Sequence, residues 1–220
     1  DAMTEFLEYA SAYDDGSDTR IKLKIIHTQR VTEVMEQLTA VLPLSESDRE
    51  LAYLCAVYHD IEIEQLKRYH TFLDYKSIDH AQLGCEILRQ GNFLDELSAR
   101  EREQVLTAIG NHNRLAIEDG LDEKTLLFAK LIRDADKCDI FPGVCPGGSC
   151  RYHRFPQNRW NRKQFQMWCM RSILGHYCIK KQERKTGLDV WVSFLGFFFD
   201  LNFAESLRIA LKQGYYKKRF

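Results

Sequence analysis

Apolar residues recur at intervals of three and four along almost the whole chain, and no stretch alternates apolar and polar residues as a half-buried strand does. That periodicity restricts the chain to packed helices and predicts an all-α fold. Asp18-Thr19 opens a helix to about Val41 with apolar positions Leu23, Ile26, Val31, Val34, Leu38 and Val41, and Pro43 ends it. Ser47-x-x-Glu50 reads as a capping box for a helix reaching His59, and Ser98-x-x-Glu101 as one for a helix to about His112. Asp122 starts a helix through Leu126, Leu127, Ala129 and Ile132 to Asp136. Polar, aromatic loops are expected at 69–79 and 113–121. The densest cluster of turn formers, Pro142-Gly143-Val144-Cys145-Pro146-Gly147-Gly148-Ser149, divides a helical core over 1–142 from a C-terminal helical extension over 143–220. The extension is expected to hold helices at 158–174 and 188–211 and to pack on the core as part of one domain.

Composition narrows the function classes. With 220 residues and 45% hydrophobic content the chain can bury one sizeable core. A formal net charge of −1 leaves no global positive field for a nucleic-acid polymer, although a local pocket can still be cationic. The most apolar run, Val190 to Phe199, is about half of the roughly 20 residues that a membrane span requires, and Asp200 and Asn202 interrupt it. It reads as a buried core helix, with no membrane partner. Seven cysteines, none spaced C-x-x-C, read as free thiols in a reducing compartment; Cys145 and Cys150 lack a second matched pair for a zinc knuckle. The first residues show no basic region followed by an apolar run, so the chain reads as cytoplasmic rather than secreted.

Against that pattern, five polar residues sit where a helix buries its apolar face. His27 continues the Val31, Val34, Leu38 stripe, and His59 follows Ala52, Cys55 and Ala56. His80 shares a face with Leu83, Gly84 and Ile87, His112 follows Val105, Ala108 and Ile109, and Asp136 follows Ala129 and Ile132. A single such residue is best explained as a satisfied core group. Five on separate helices, with Asp60 beside His59, point to convergence on a metal, because unpartnered buried charges cost several kcal/mol.

The ordered series His27, His59-Asp60, His80, His112, Asp136 resembles the HD superfamily of metal-dependent phosphohydrolases, whose minimal H…HD…D signature is matched by His27, His59, Asp60 and Asp136. The segments IKLKIIHTQRV, KSIDHAQLG, IGNHN, LLFAKLIRDADKCDIF and KTGLDVWVSFLGFFFDLNF are similar to a group of uncharacterised bacterial HD-domain proteins. The resemblance implies an HD-type helical bundle. It also implies one or two divalent transition-metal ions, a binuclear centre if His80 and His112 both ligate, with Asp60 as the bridging ligand. The mixed imidazole and carboxylate set suits Fe, Mn, Co, Ni or Zn better than Mg. The implied substrate is a nucleotide or another small phosphate ester, with Arg30, one turn beyond His27, and Lys137, beside Asp136, as its phosphate contacts. Arg133, Arg68 and Lys76 are further cations near the motif, each with a solvated surface role as the competing reading. Asp134 and Asp139 compete with Asp136, which is favoured by its Ala135-Asp136 context and its apolar face. Two departures stand out: Glu62 replaces the glycine of the common HDIG, and Asn113 follows His112 where cyclic-di-GMP phosphodiesterases pair two histidines. Two other readings remain: a di-iron oxygenase, and a metal-binding module without turnover.

Overall fold

The computed structural model describes residues 1–13, 16–64, 68, 79–143, 167–180 and 183–214. Cys145, Cys150, Lys76 and the 69–78 part of the expected loop lie outside them, as does the 158–166 part of the expected helix. Every regular element among the described residues is helical. The chain divides into two compact units, 1–136 and 137–220.

In the first unit, α1 (Ala2–Ser11), α2 (Thr19–Ala40) and α3 (Glu46–Tyr58) precede α4 (His80–Gln90), α5 (Ala99–Asn111) and α6 (Glu123–Gly143), whose last residues belong to the second unit. Helix α2 packs on α3, α3 on α5, α4 on α5, and α1 on α3. Each start has a chemical cause. The Asp18 carboxylate accepts from the Arg20 amide at the head of α2, and Asp79 accepts from Ala81 and Gln82 at the head of α4. Ser98 and Glu101 form the expected reciprocal box on α5, and Asp122 caps α6 through the Lys124 and Thr125 amides.

The cap of α3 differs from expectation. Ser45, with extended backbone, accepts from the Asp48 amide at 3.1 Å, which puts Ser47 inside the first turn. The S-x-x-E spacing from Ser47 therefore places the cap two residues too late. Between the helices lies an apolar core containing Phe6, Ile21, Val31, Met35, Leu38, Leu51, Tyr58, Leu88, Val105, Ile109 and Phe128, all below a tenth exposed. Each such side chain contributes about 1.5–3 kcal/mol by leaving water, so polar residues set among them displace real stabilisation.

The second unit contains α7 (Met167–Leu174), α8 (Gly187–Leu195), a 3₁₀ segment (Gly196–Asp200) and α9 (Ala204–Gln213). Phe194 is its buried centre, packed by Ile140, Val190, Val192, Leu195 and Phe197. Thr186 and Asp189 form a capping box for α8. The single long helix expected over 188–211 is broken: the chain tightens to 3₁₀ at Gly196, and Leu201 and Phe203 are extended before α9 begins. Gly196 stands where the helix tightens, and a Cβ there would lie 3.4 Å from Cys178 Cα and from the Tyr177 carbonyl, in close contact. Among the described residues no helix is long and apolar enough to cross a membrane. Among the described residues Cys55, Cys85, Cys138, Cys169 and Cys178 form no disulfide.

Candidate metal centre

Two of the site histidines occupy the same structural position. His59 is the C-cap of α3 and His112 the C-cap of α5. Each ring reaches back to a carbonyl of the last turn of its helix. His59 Nδ1 lies 2.8 Å from the Ala56 carbonyl, and His112 Nδ1 lies 2.7 Å from the Ile109 carbonyl. A carbonyl can only accept, so both Nδ1 atoms carry the hydrogen. Burial disfavours the charged ring in both, lowering the pKa of His59 and taking that of His112 down to about 3. Both are thus neutral, with a bare lone pair on Nε2.

Those lone pairs point at other histidines. His59 Nε2 is 3.2 Å from His27 Nε2, and His112 Nε2 is 3.0 Å from His80 Nε2. Imidazole nitrogens face one another at such distances only with a proton or a cation between them. Asp60 sits between the two pairs. Its Oδ2 is 3.5 Å from Nε2 of both His27 and His59, and its Oδ1 is 3.8 Å from Nε2 of both His80 and His112. Two donor groups able to hold a metal ion result, His27-His59-Asp60 and Asp60-His80-His112, sharing one carboxylate. Donors bound to one ion at about 2.1 Å stand about 3.0–3.4 Å apart in octahedral or tetrahedral arrangement; the first group, at 3.2–3.5 Å, lies close to that spacing, while in the second the imidazoles match it at 3.0 Å and Asp60 stands wider, at 3.8 Å. Asp136 Oδ1, 3.1 Å from His27 Nε2, adds a second carboxylate at the edge of the first group. Burial opposes the Asp136 charge, but the His27 hydrogen bond and the surrounding imidazoles together outweigh it and the carboxyl is held well below its usual range. All six residues expected to converge are therefore together: His27, His59, Asp60 and His112 are buried, and His80 and Asp136 are partly exposed.

The elements are tied to each other beside the rings. Asn113, next to His112, donates from Nδ2 to Asp79 Oδ1 at 2.9 Å, and Asp79 is the N-cap of the helix that His80 begins. One side-chain bond thus joins the end of α5 to the start of α4.

The cations divide. Arg30 is half-buried on α2, one turn after His27. Arg68 is exposed. Lys137 is buried, with Nζ 2.8 Å from Asp200 and 5.7 Å from the centre of the Phe197 ring. Arg133 is a structural clamp: its Nη1 donates to the carbonyls of Asn111 at 2.9 Å and Arg114 at 2.6 Å, and Nη2 reaches that of Leu115 at 3.3 Å. Its guanidinium fixes the turn that follows His112. Asp134 and Asp139 are buried as well, and Asp136 reaches His27.

Lys24 was missed by sequence reasoning. It is 7% exposed, with Nζ 2.8 Å from Asp60 Oδ2 and 2.6 Å from Glu62 Oε1. The signal was present: Lys24 stands three residues after Ile21 and three before His27, on the buried face of α2. Burial works against its charge, yet the carboxylates of Asp60 and Glu62 more than offset it and raise its pKa. Asp60 likewise stays ionised despite burial, chiefly through Lys24.

The HD domain model matches residues 25–140. The chain belongs to the HD domain family. The match begins two residues before His27 and ends just after Asp136, so it encloses all six site residues. Among curated proteins, the alpha subunits of ATP synthase from Haemophilus influenzae strains PittEE and PittGG are each 26% identical over 99 residues. That alignment covers 43% of this chain and 18% of either subunit, so the chain spans under a fifth of the length of these relatives. No solved structure matches.

Proposed function

We propose that this HD-domain chain is a metal-dependent phosphohydrolase acting on a nucleotide or another small phosphate ester, with a binuclear centre bridged by Asp60. The observation that carries the reading is the position of Asp60, one oxygen toward each facing pair of imidazoles. Membership of a family of largely metal-dependent phosphohydrolases supports it. A bound divalent ion supplies an acidified water and polarises a phosphoryl oxygen. The chain's own residues do the rest. His59 and His112, locked by their helix-end carbonyls, present lone pairs without rearrangement. Arg30 offers a charge one turn from His27 for a substrate phosphate; Lys137 could serve the same purpose only by giving up Asp200.

The test is direct. Chelator-treated protein should lose turnover across a screen of nucleotides and sugar phosphates, and Mn²⁺ or Fe²⁺ should restore it. His59→Ala and Asp60→Ala should lose metal and turnover together, since each removes a ligand. Turnover surviving both Asp60→Ala and exhaustive chelation would refute the mechanism. Two donor groups sharing a carboxylate also suit a di-iron oxygenase; oxygen uptake with an organic substrate, in iron-loaded protein inert toward phosphate esters, would select that reading instead.

A further inference from the structure

Asp60 must present its two oxygens in two directions, and a carboxylate turning freely about its last torsion would not hold them there. Lys24 Nζ stands 2.8 Å from it, closer than the four imidazole nitrogens at 3.5–3.8 Å. Lys24 is itself fixed. Its long chain lies buried along α2, and its ammonium is bound to Glu62 Oε1 at 2.6 Å. Glu62 is 1% exposed, and its Oε2 is buried with no hydrogen-bond partner. That oxygen faces α4: it lies 3.6 Å from where a Cβ on Gly84 would be, one turn along from His80. A buried carboxylate this poorly solvated is costly unless a cation holds it, and Lys24 is that cation. Helix α2 and the 60–62 segment are thereby locked by one ammonium bridging two carboxylates.

We propose that Lys24, anchored by Glu62, is a positioning residue that sets the orientation of the Asp60 carboxylate across both donor groups before a metal arrives. This rests on the metal-centre reading above. Preorganised ligands bind more tightly because the ordering cost is met in folding. Electrostatics alone makes the opposite prediction, because an ammonium beside a divalent ion repels it and its removal should strengthen binding. The sign of one substitution therefore separates the two accounts.

The experiment titrates full-length, chelator-treated protein with Mn²⁺ in a calorimeter, with circular dichroism and thermal unfolding in chelator as controls for folding. Wild type should bind Mn²⁺ and His59→Ala should not. Lys24→Met should bind about tenfold or more weakly, although a positive charge has been removed, a loss of about 1.4 kcal/mol or more. Glu62→Gln should also weaken binding, because Lys24 loses its anchor and its charge is no longer balanced. A folded Lys24→Met protein that binds Mn²⁺ as tightly as wild type, or more tightly, would overturn the proposal. Should Lys24→Met fail to fold, Glu62→Gln decides, and wild-type affinity there overturns it equally. Wild-type protein that binds no Mn²⁺, Fe²⁺ or Zn²⁺ would instead remove the metal centre itself, and this inference with it.

Discussion

Arg133 offers the sharpest separation between a structural and a substrate-binding cation. It is 1% exposed, and its guanidinium makes two short bonds, to the carbonyls of Asn111 at 2.9 Å and Arg114 at 2.6 Å, and a longer one to Leu115 at 3.3 Å. Arg133→Met keeps much of the buried stem but strands these acceptors. A hydrogen bond to a charged group contributes about 1.5–3 kcal/mol, so losing the two short ones should cost about 3–5 kcal/mol. That is a large share of the roughly 5–15 kcal/mol that holds a domain together. Urea unfolding of the metal-free protein measures it. With a slope near 2–3 kcal/mol/M, the midpoint should fall by about 1–2 M. Arg133→Lys, with one point donor in place of a fork, should recover only part of the loss. The reasoning is refuted if Arg133→Met unfolds within about 1 kcal/mol of wild type. A raised KM in an otherwise stable protein would make Arg133 a substrate contact after all.

Two further outcomes are expected. Asn113→Ala removes the bond to Asp79; it should cost about 1 kcal/mol of stability and weaken Mn²⁺ binding, whereas Asn113→Asp, which sets two carboxylates face to face, should be worse on both measures. Stability should also fall in mild acid. Burial holds His59 and His112 below the ordinary 6.5, His112 at about 3, so between those values the unfolded chain takes up protons that the folded chain refuses. Their penalty is absent above pH 6.5 and grows as the pH falls. The depressed carboxyls of Asp60 and Asp136 add to the loss below their unfolded pKa, while Glu62, pushed up by burial, works against it. Urea midpoints that stay level from about pH 7 to 5 would contradict this assignment of neutral rings.

The helical class followed from the apolar periodicity, and the site residues were legible because five of them offend the apolar face that carries them and Asp60 stands beside His59. A histidine after Ala52, Cys55 and Ala56 is conspicuous for the same reason that Lys24 should have been. Lysine is easily read as a surface charge on any helix, and only the exact phase, three residues from both Ile21 and His27, places it inside. Arg133 could not be assigned from sequence: its role depends on carbonyls of residues 111–115, a turn brought to it by tertiary packing. The break after α8 was hidden similarly. Nothing local in Gly196-Phe197-Phe198-Phe199 forbids a helix, and the close pass of the Cys178 backbone beside Gly196 is a tertiary feature. The α3 cap fell two residues from the expected Ser47 because Ser45, also a good capping residue, is the one with extended backbone.

The order of assembly follows from where the donors lie in the chain. His27 comes from α2 and His59-Asp60 from the end of α3, so two helices adjacent in sequence complete the first donor group, whereas the second also needs His80 of α4 and His112 of α5. A chain with only α2 and α3 docked can form the first group, but the second cannot form until α4 and α5 have docked as well, which makes its loading the later event, after a larger loop-closure cost has been met. Uptake of a second ion during refolding should therefore lag behind the first, and its rate should report the docking of α4 and α5 rather than diffusion of the metal.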